Sequence, residues 1–133
     1  MLRSLALVLA LVLTACGLLP EHTEDQQDWS ANKFYSEAKN KLTEGNYTAA
    51  IKLYESLEAR YPYGRIAQQA QLETAYAHYK NEDMAMAITA ADRFIKLHPN
   101  DMNVDYAYYI KGLASFNDNW GMMGFMMKGP LRQ

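Results

Sequence analysis

The sequence predicts an all-α fold, a solenoid of stacked helix pairs, and three observations carry that prediction. The stretch from Ala38 to Gly112 repeats itself every 37 residues. Ala38 answers to Ala75 and Gly112, Leu42 to Tyr79 and Phe116, Ala50-Ile51 to Ala87-Ile88, and Pro62 to Pro99. A fixed period between about 20 and 50 residues marks supersecondary units stacked in a row. Within each unit, apolar residues recur at the three- and four-residue spacing of an amphipathic helix. Each unit then closes on proline, which disfavours helix in the residue before it and has no backbone N–H to donate.

Taken in order, the chain opens with Met1-Leu2-Arg3 and an unbroken apolar run of nine residues, Leu5 to Leu13. That run is too short to span a bilayer core of roughly 30 Å as a helix, and it has the size of a signal-peptide core. Residues 1–15 are read as a signal peptide with Ala15 at the cleavage point. Residues 16–30 are read as a tether: Pro20 and the polar run that follows offer nothing to bury. Asp28 or Ser30 is placed to cap the first helix.

Helices are predicted over about 31–43, 46–60, 66–80, 84–97 and 102–117. Phe34, Tyr35, Ala38 and Leu42 form the first apolar stripe; Glu44-Gly45-Asn46 breaks it. Tyr47, Ala50, Ile51, Tyr54 and Leu57 form the second, which stops at Tyr61-Pro62. Leu72, Ala75, Tyr76 and Tyr79 begin the next unit, Asn81-Glu82-Asp83 turns it, and Met84, Ala87, Ile88, Ala91, Phe94 and Ile95 return. Small residues stand where paired helices must approach closely: Ala38 with Ala50, Ala75 with Ala87, and Gly112 in the third unit. The units are bounded at 31–62, 66–99 and 102–133, the last incomplete, about two and a half repeats in all. A turn is expected at Asn117-Asp118-Asn119. Beyond it, Trp120 to Met127 is expected either to fold back over the open end, to contact a partner or membrane, or to pack on further repeats of a longer chain.

The Gly45-Asn46-Tyr47, Ala50-Ile51 and Pro62 skeleton resembles the tetratricopeptide repeat. It departs from that pattern in its period, against about 34 residues, and in Phe34 and Gln71 where tryptophan is usual. Leu57 and Phe94 also replace a small residue late in the second helix. The longer run from Tyr61 to Leu113, with its Tyr-Pro-aromatic-Gly, AYAHYK, DRFIKLHP and DYAYYIKGL segments, is similar to the BamD family of outer-membrane β-barrel assembly lipoproteins.

Leu13-Thr14-Ala15-Cys16 resembles the bacterial lipobox, which implies lipidation of Cys16 and cleavage before it. Several acyl chains on one residue give the stable membrane anchoring that one chain does not. An ordinary secretory signal followed by a stray cysteine is the alternative. Gly17, not aspartate, implies export to the outer membrane.

Resemblance to the tetratricopeptide arrays implies that the first helix of each unit lines a groove. That places Tyr35 and Lys39 on it from unit one, Leu72, Tyr76, Tyr79 and Lys80 from unit two, and Tyr106, Tyr109, Leu113 and Phe116 from unit three. Tyrosine supplies an apolar face and a hydroxyl, and lysine a positive charge, a combination suited to an extended peptide with aromatic side chains and a terminal carboxylate. Inter-repeat packing is the competing role for these tyrosines. By the BamD resemblance, the expected partners are BamA, the other lipoproteins of that complex, unfolded outer-membrane proteins, and the membrane through Cys16. Two further readings stay open: a tetratricopeptide lipoprotein serving pilus or secretin assembly or cell-wall coordination, and an accessory domain of a cell-wall enzyme.

Charge and motif content narrow the function further. Net charge is −2 over 133 residues, which gives no electrostatic footprint for nucleic acid. The lone cysteine excludes an internal disulfide. His22, His78 and His98 lack companions at metal-ligand spacing. No phosphate loop, nucleophile elbow or His-Glu-x-x-His motif occurs. The expectation is a non-enzymatic binding protein without metal or cofactor.

Overall fold

The computed structural model describes residues 26–127. It is all-helical over that span: a 3-10 turn at Gln26–Asp28, then α1 (Ala31–Thr43), α2 (Tyr47–Arg60), α3 (Arg65–Lys80), α4 (Met84–Leu97) and α5 (Val104–Met127). Each helix packs on the next, and α1, α3 and α5 also touch in series. The chain is therefore a row of helical hairpins, the all-α repeat architecture that the 37-residue period predicts.

The turns inside the two complete units are built alike. Gly45 and Glu82, 37 residues apart, both take positive φ, 78° and 64°. In the first turn, Gly45 N–H donates to Leu42 and Asn46 N–H to Lys41; in the second, Glu82 donates to Tyr79 and Asp83 to His78. Both are Schellman motifs, which satisfy the last carbonyls of the helix. The next residue starts the return helix: Asn46 Oδ1 accepts from Ala49 N–H at 3.2 Å, and Asp83 Oδ1 from Met86 N–H at 3.3 Å.

The third unit departs from this pattern. The expected turn at Asn117–Asn119 does not form, and α5 runs unbroken to Met127. Trp120 occupies the position of Asn46 and Asp83, and an indole has no oxygen to accept the first backbone N–H groups of a new helix. Without that cap, helix continuation satisfies the same amides.

Residues 26–30, read from sequence as tether, are tied to the fold. Arg60 donates to the carbonyls of Gln26 and Gln27, and Tyr61 Oη donates to Trp29 O at 2.8 Å. The Trp29 ring sits 5.2 Å from Phe34. Ser30 Oγ accepts from Lys33 N–H at the start of α1.

Two core clusters share α3. Ala67, Ala70 and Ala77 face α1 and α2 and join Phe34, Tyr54 and Leu57. Leu72 and Ala75 face the other way, joining Phe94 of α4 and Ala107 and Ile110 of α5. Ala38, Ala50, Ala75 and Ala87 are all fully buried, as close helix approach requires. Gly112 is not: it is exposed, and a Cβ there would meet nothing within 4 Å. The small-residue role assigned to it is corrected, because no described helix packs on that side of α5.

Candidate peptide-binding face

The tyrosine row gathers around a carboxylate that the sequence pattern did not single out. Glu73, on α3, accepts from Lys39 Nζ at 2.7 Å, from Gln69 Nε2 at 3.4 Å and from Tyr35 Oη at 3.5 Å. Its side chain is only 13 % exposed, so this oxygen is held by protein donors more than by water. Glu73 is the one acid in α3, a signal visible in the sequence, but its partners lie on another helix and no spacing within α3 marks it as a site.

The neighbouring groups respond to it. Burial and then the Glu73 charge push the Tyr35 hydroxyl above its ordinary pKa. Burial pushes Tyr106 up as well, followed by Tyr76, Glu73 and Tyr109. Burial pulls the Lys39 ammonium down, but the Glu73 contact outweighs it, and the net shift is upward. At neutral pH these phenols stay protonated and the Lys39 ammonium stays charged.

Around this centre the rings form one face. Tyr35 lies 5.9 Å from Tyr54, and Tyr106 stacks on Tyr109 at 6.2 Å. Tyr76 is half-buried and packs against both clusters. Tyr106 and Tyr109 are 42 % and 59 % exposed. Tyr79 is half-buried and its hydroxyl accepts from Asn117 Nδ2 at 3.3 Å, so it braces α3 to α5. Lys80 is exposed at the end of α3, and Leu113 is partly exposed on α5. Leu72 is corrected: at 2 % exposure it is core, because α4 and α5 close over it. A polar cavity of about 430 Å³ opens beside this face between the N-terminal ends of α3 and α5, and Gln69 lines both.

Cys16 lies outside the described residues. No described helix is long and apolar enough to cross a membrane, and no group of three described His, Cys, Asp or Glu residues could hold a metal ion. His78 is buried with Nδ1 3.8 Å from Asp83, and His98 Nε2 sits 2.9 Å from Gln71 Oε1, each a local packing contact.

A family profile described as tetratricopeptide repeat matches residues 22–129. The chain belongs to the tetratricopeptide repeat family. Within that family it is similar to outer membrane protein assembly factor BamD of Neisseria meningitidis serogroup B, 48 % identical over 118 residues, covering 86 % of this chain and 44 % of the relative. The same protein of Vibrio cholerae is 36 % identical over 113 residues, 84 % of this chain and 46 % of the relative. That of Xylella fastidiosa strain 9a5c is 34 % identical over 114 residues, 85 % and 39 %. The chain thus spans less than half the length of these curated relatives. In this tetratricopeptide array the first helices of successive units, α1, α3 and α5, carry the tyrosine face.

Proposed function

We propose that this chain is a non-enzymatic lipoprotein component of the outer-membrane β-barrel assembly (BAM) complex, held at the periplasmic face of the outer membrane by lipid on Cys16. It binds BamA and unfolded outer-membrane proteins. The observation that supports this most directly is the similarity to BamD across 86 % of the chain. The tyrosine face is the receptor we assign to it. Its chemistry fits aromatic side chains of an extended peptide, which stack on Tyr76, Tyr106 and Tyr109 while phenol hydroxyls and Gln69 donate to the peptide backbone.

The Glu73 contact refines this reading. Lys39 is already paired with Glu73, so its pull on a peptide carboxylate is partly offset, while its two other N–H donors stay open to solvent or ligand. Aromatic contact is therefore the main recognition, and Lys39 adds a weaker charge discrimination.

The test is photocrosslinking from position 76 or 109 to a synthetic C-terminal peptide of an outer-membrane barrel protein. Peptide-dependent adducts at both positions are expected, and their absence at both removes the receptor role from this face. Fractionation of a Cys16→Ser protein tests the anchor: it is expected to leave the outer membrane, and retention there overturns the lipid assignment. Co-purification of a secretin in place of BamA would favour the pilus or secretin reading.

A further inference from the structure

Of the three arginines among the described residues, two are engaged within the fold. Arg60 donates to the carbonyls of Gln26 and Gln27, and Arg93 to Glu58. Arg65, the first residue of α3, has no hydrogen-bond or ion-pair partner. It lines the polar cavity of about 430 Å³ between units two and three. Every wall of that cavity comes from α3, α4 or the loop into α5, so it lies inside the array and not at its end. Gln68 and Asn103 are half-buried there, and their side-chain amides make no hydrogen bond in the fold. Phe94 supplies an apolar wall. The one acid in the lining, Asp101, is turned to the backbone: its Oδ1 accepts from Asn103 N–H at 2.8 Å. A free guanidinium, open amides and an apolar wall suit a singly charged carboxylate on a short aliphatic stem, while the charge of Asp101 opposes a phosphate dianion.

The cavity is aligned with the tyrosine face. Arg65, Gln69, Glu73 and Tyr76 follow one another at spacings of four, four and three residues and so form a single stripe along α3. Gln69 is common to both places: it lines the cavity and donates to Glu73. Glu73 in turn holds Lys39, the cation of the peptide-binding face. From Arg65 to Glu73 the helix rises about 12 Å at 1.5 Å per residue. An extended peptide covers that length in three or four residues at about 3.3 Å each.

We infer that the cavity is an acid-recognising subsite of that face. Arg65 receives the side-chain carboxylate of an aspartate or glutamate that precedes the peptide's last residue by three or four positions. The inference rests on the reading of the tyrosine face as a peptide receptor, and it adds a direction to it. The terminal carboxylate of the peptide lies toward Lys39, and the upstream chain runs past Gln69 toward the start of α3. A lysine or arginine at the upstream position is disfavoured, because it meets the guanidinium with like charge.

The test uses the full chain and synthetic C-terminal peptides of an outer-membrane barrel protein, labelled at the amino end and otherwise free of acidic side chains. A single glutamate is walked upstream from the residue before the last. Anisotropy is expected to show the tightest binding with glutamate three or four positions before the last, about fivefold tighter than with glutamine there. Arg65→Gln, at an exposed position and with helical circular dichroism retained, is expected to erase that preference. Arg65→Glu is expected to reverse it, so that lysine at that position binds better than glutamate. Binding of the glutamine peptide with no positional preference for glutamate overturns the subsite and leaves the peptide face standing. So does a preference that survives Arg65→Gln, or a gain of equal size at every position, which is diffuse attraction. Absence of binding by every peptide removes the face and the subsite together.

Discussion

Tyr54 is fully buried, and its hydroxyl has no hydrogen-bond partner among the described residues. Burial, followed by the Glu73 charge, drives its pKa well above the ordinary value of 10.0. Tyr35 and Tyr106 shift the same way. The native state therefore holds protons that the unfolded chain releases above about pH 10. Stability is fully present below that pH and falls as pH rises past it. Thermal melts between pH 8 and 11 are expected to show this decline, and Tyr54→Phe to make it shallower. At neutral pH the same substitution removes an unpaired hydroxyl and is expected to be neutral or slightly stabilising. At Glu73 the expectation concerns binding. Glu73→Gln frees Lys39, so affinity for a barrel peptide with a free terminal carboxylate rises several-fold while its amidated form is unchanged, a comparison that titration calorimetry makes directly.

At the scale of the helix, the hairpin turns carry the most specific expectations. Glu82 holds the left-handed conformation that Gly45 holds in the preceding unit. A side chain there costs about 1 kcal/mol, so Glu82→Gly is expected to raise stability by about that amount in urea denaturation. Asp83→Ala removes the α4 cap and is expected to lower it by about 1 kcal/mol. The helices of both complete units were legible in the sequence because apolar spacing and turn residues act within a few positions of each other. The continuation of α5 to Met127 was not legible there. The Asn-Asp-Asn segment has turn composition, but the cap it needed was displaced by Trp120, and composition without the capping oxygen does not stop a helix.

Across the molecule, the units are joined by core and by a polar bridge on the other side. Glu58 of α2 accepts from Arg93 of α4 and from Gln71 of α3 at 3.2 Å, and Gln71 meets His98. Arg93 is 60 % exposed, so solvent screens the pair. Arg93→Ala is expected to lower stability by no more than about 1 kcal/mol, with the difference shrinking as salt is raised in parallel denaturation curves.

The period, the helix pairs, their order and the aromatic content of the first helix of each unit were determined by the sequence alone, because each is a local or repetitive property of the chain. Tertiary structure decided which apolar side of each helix meets which neighbour. The first helix of a unit in the middle of an array has two buried sides, and helical spacing does not distinguish them. Hence Leu72 joined the core, Gly112 stayed open, and Glu73 neutralised Lys39 from 34 residues away. Each of those outcomes depends on a second helix placed across a long loop of chain, and no pattern within one helix encodes its neighbour's charge or position.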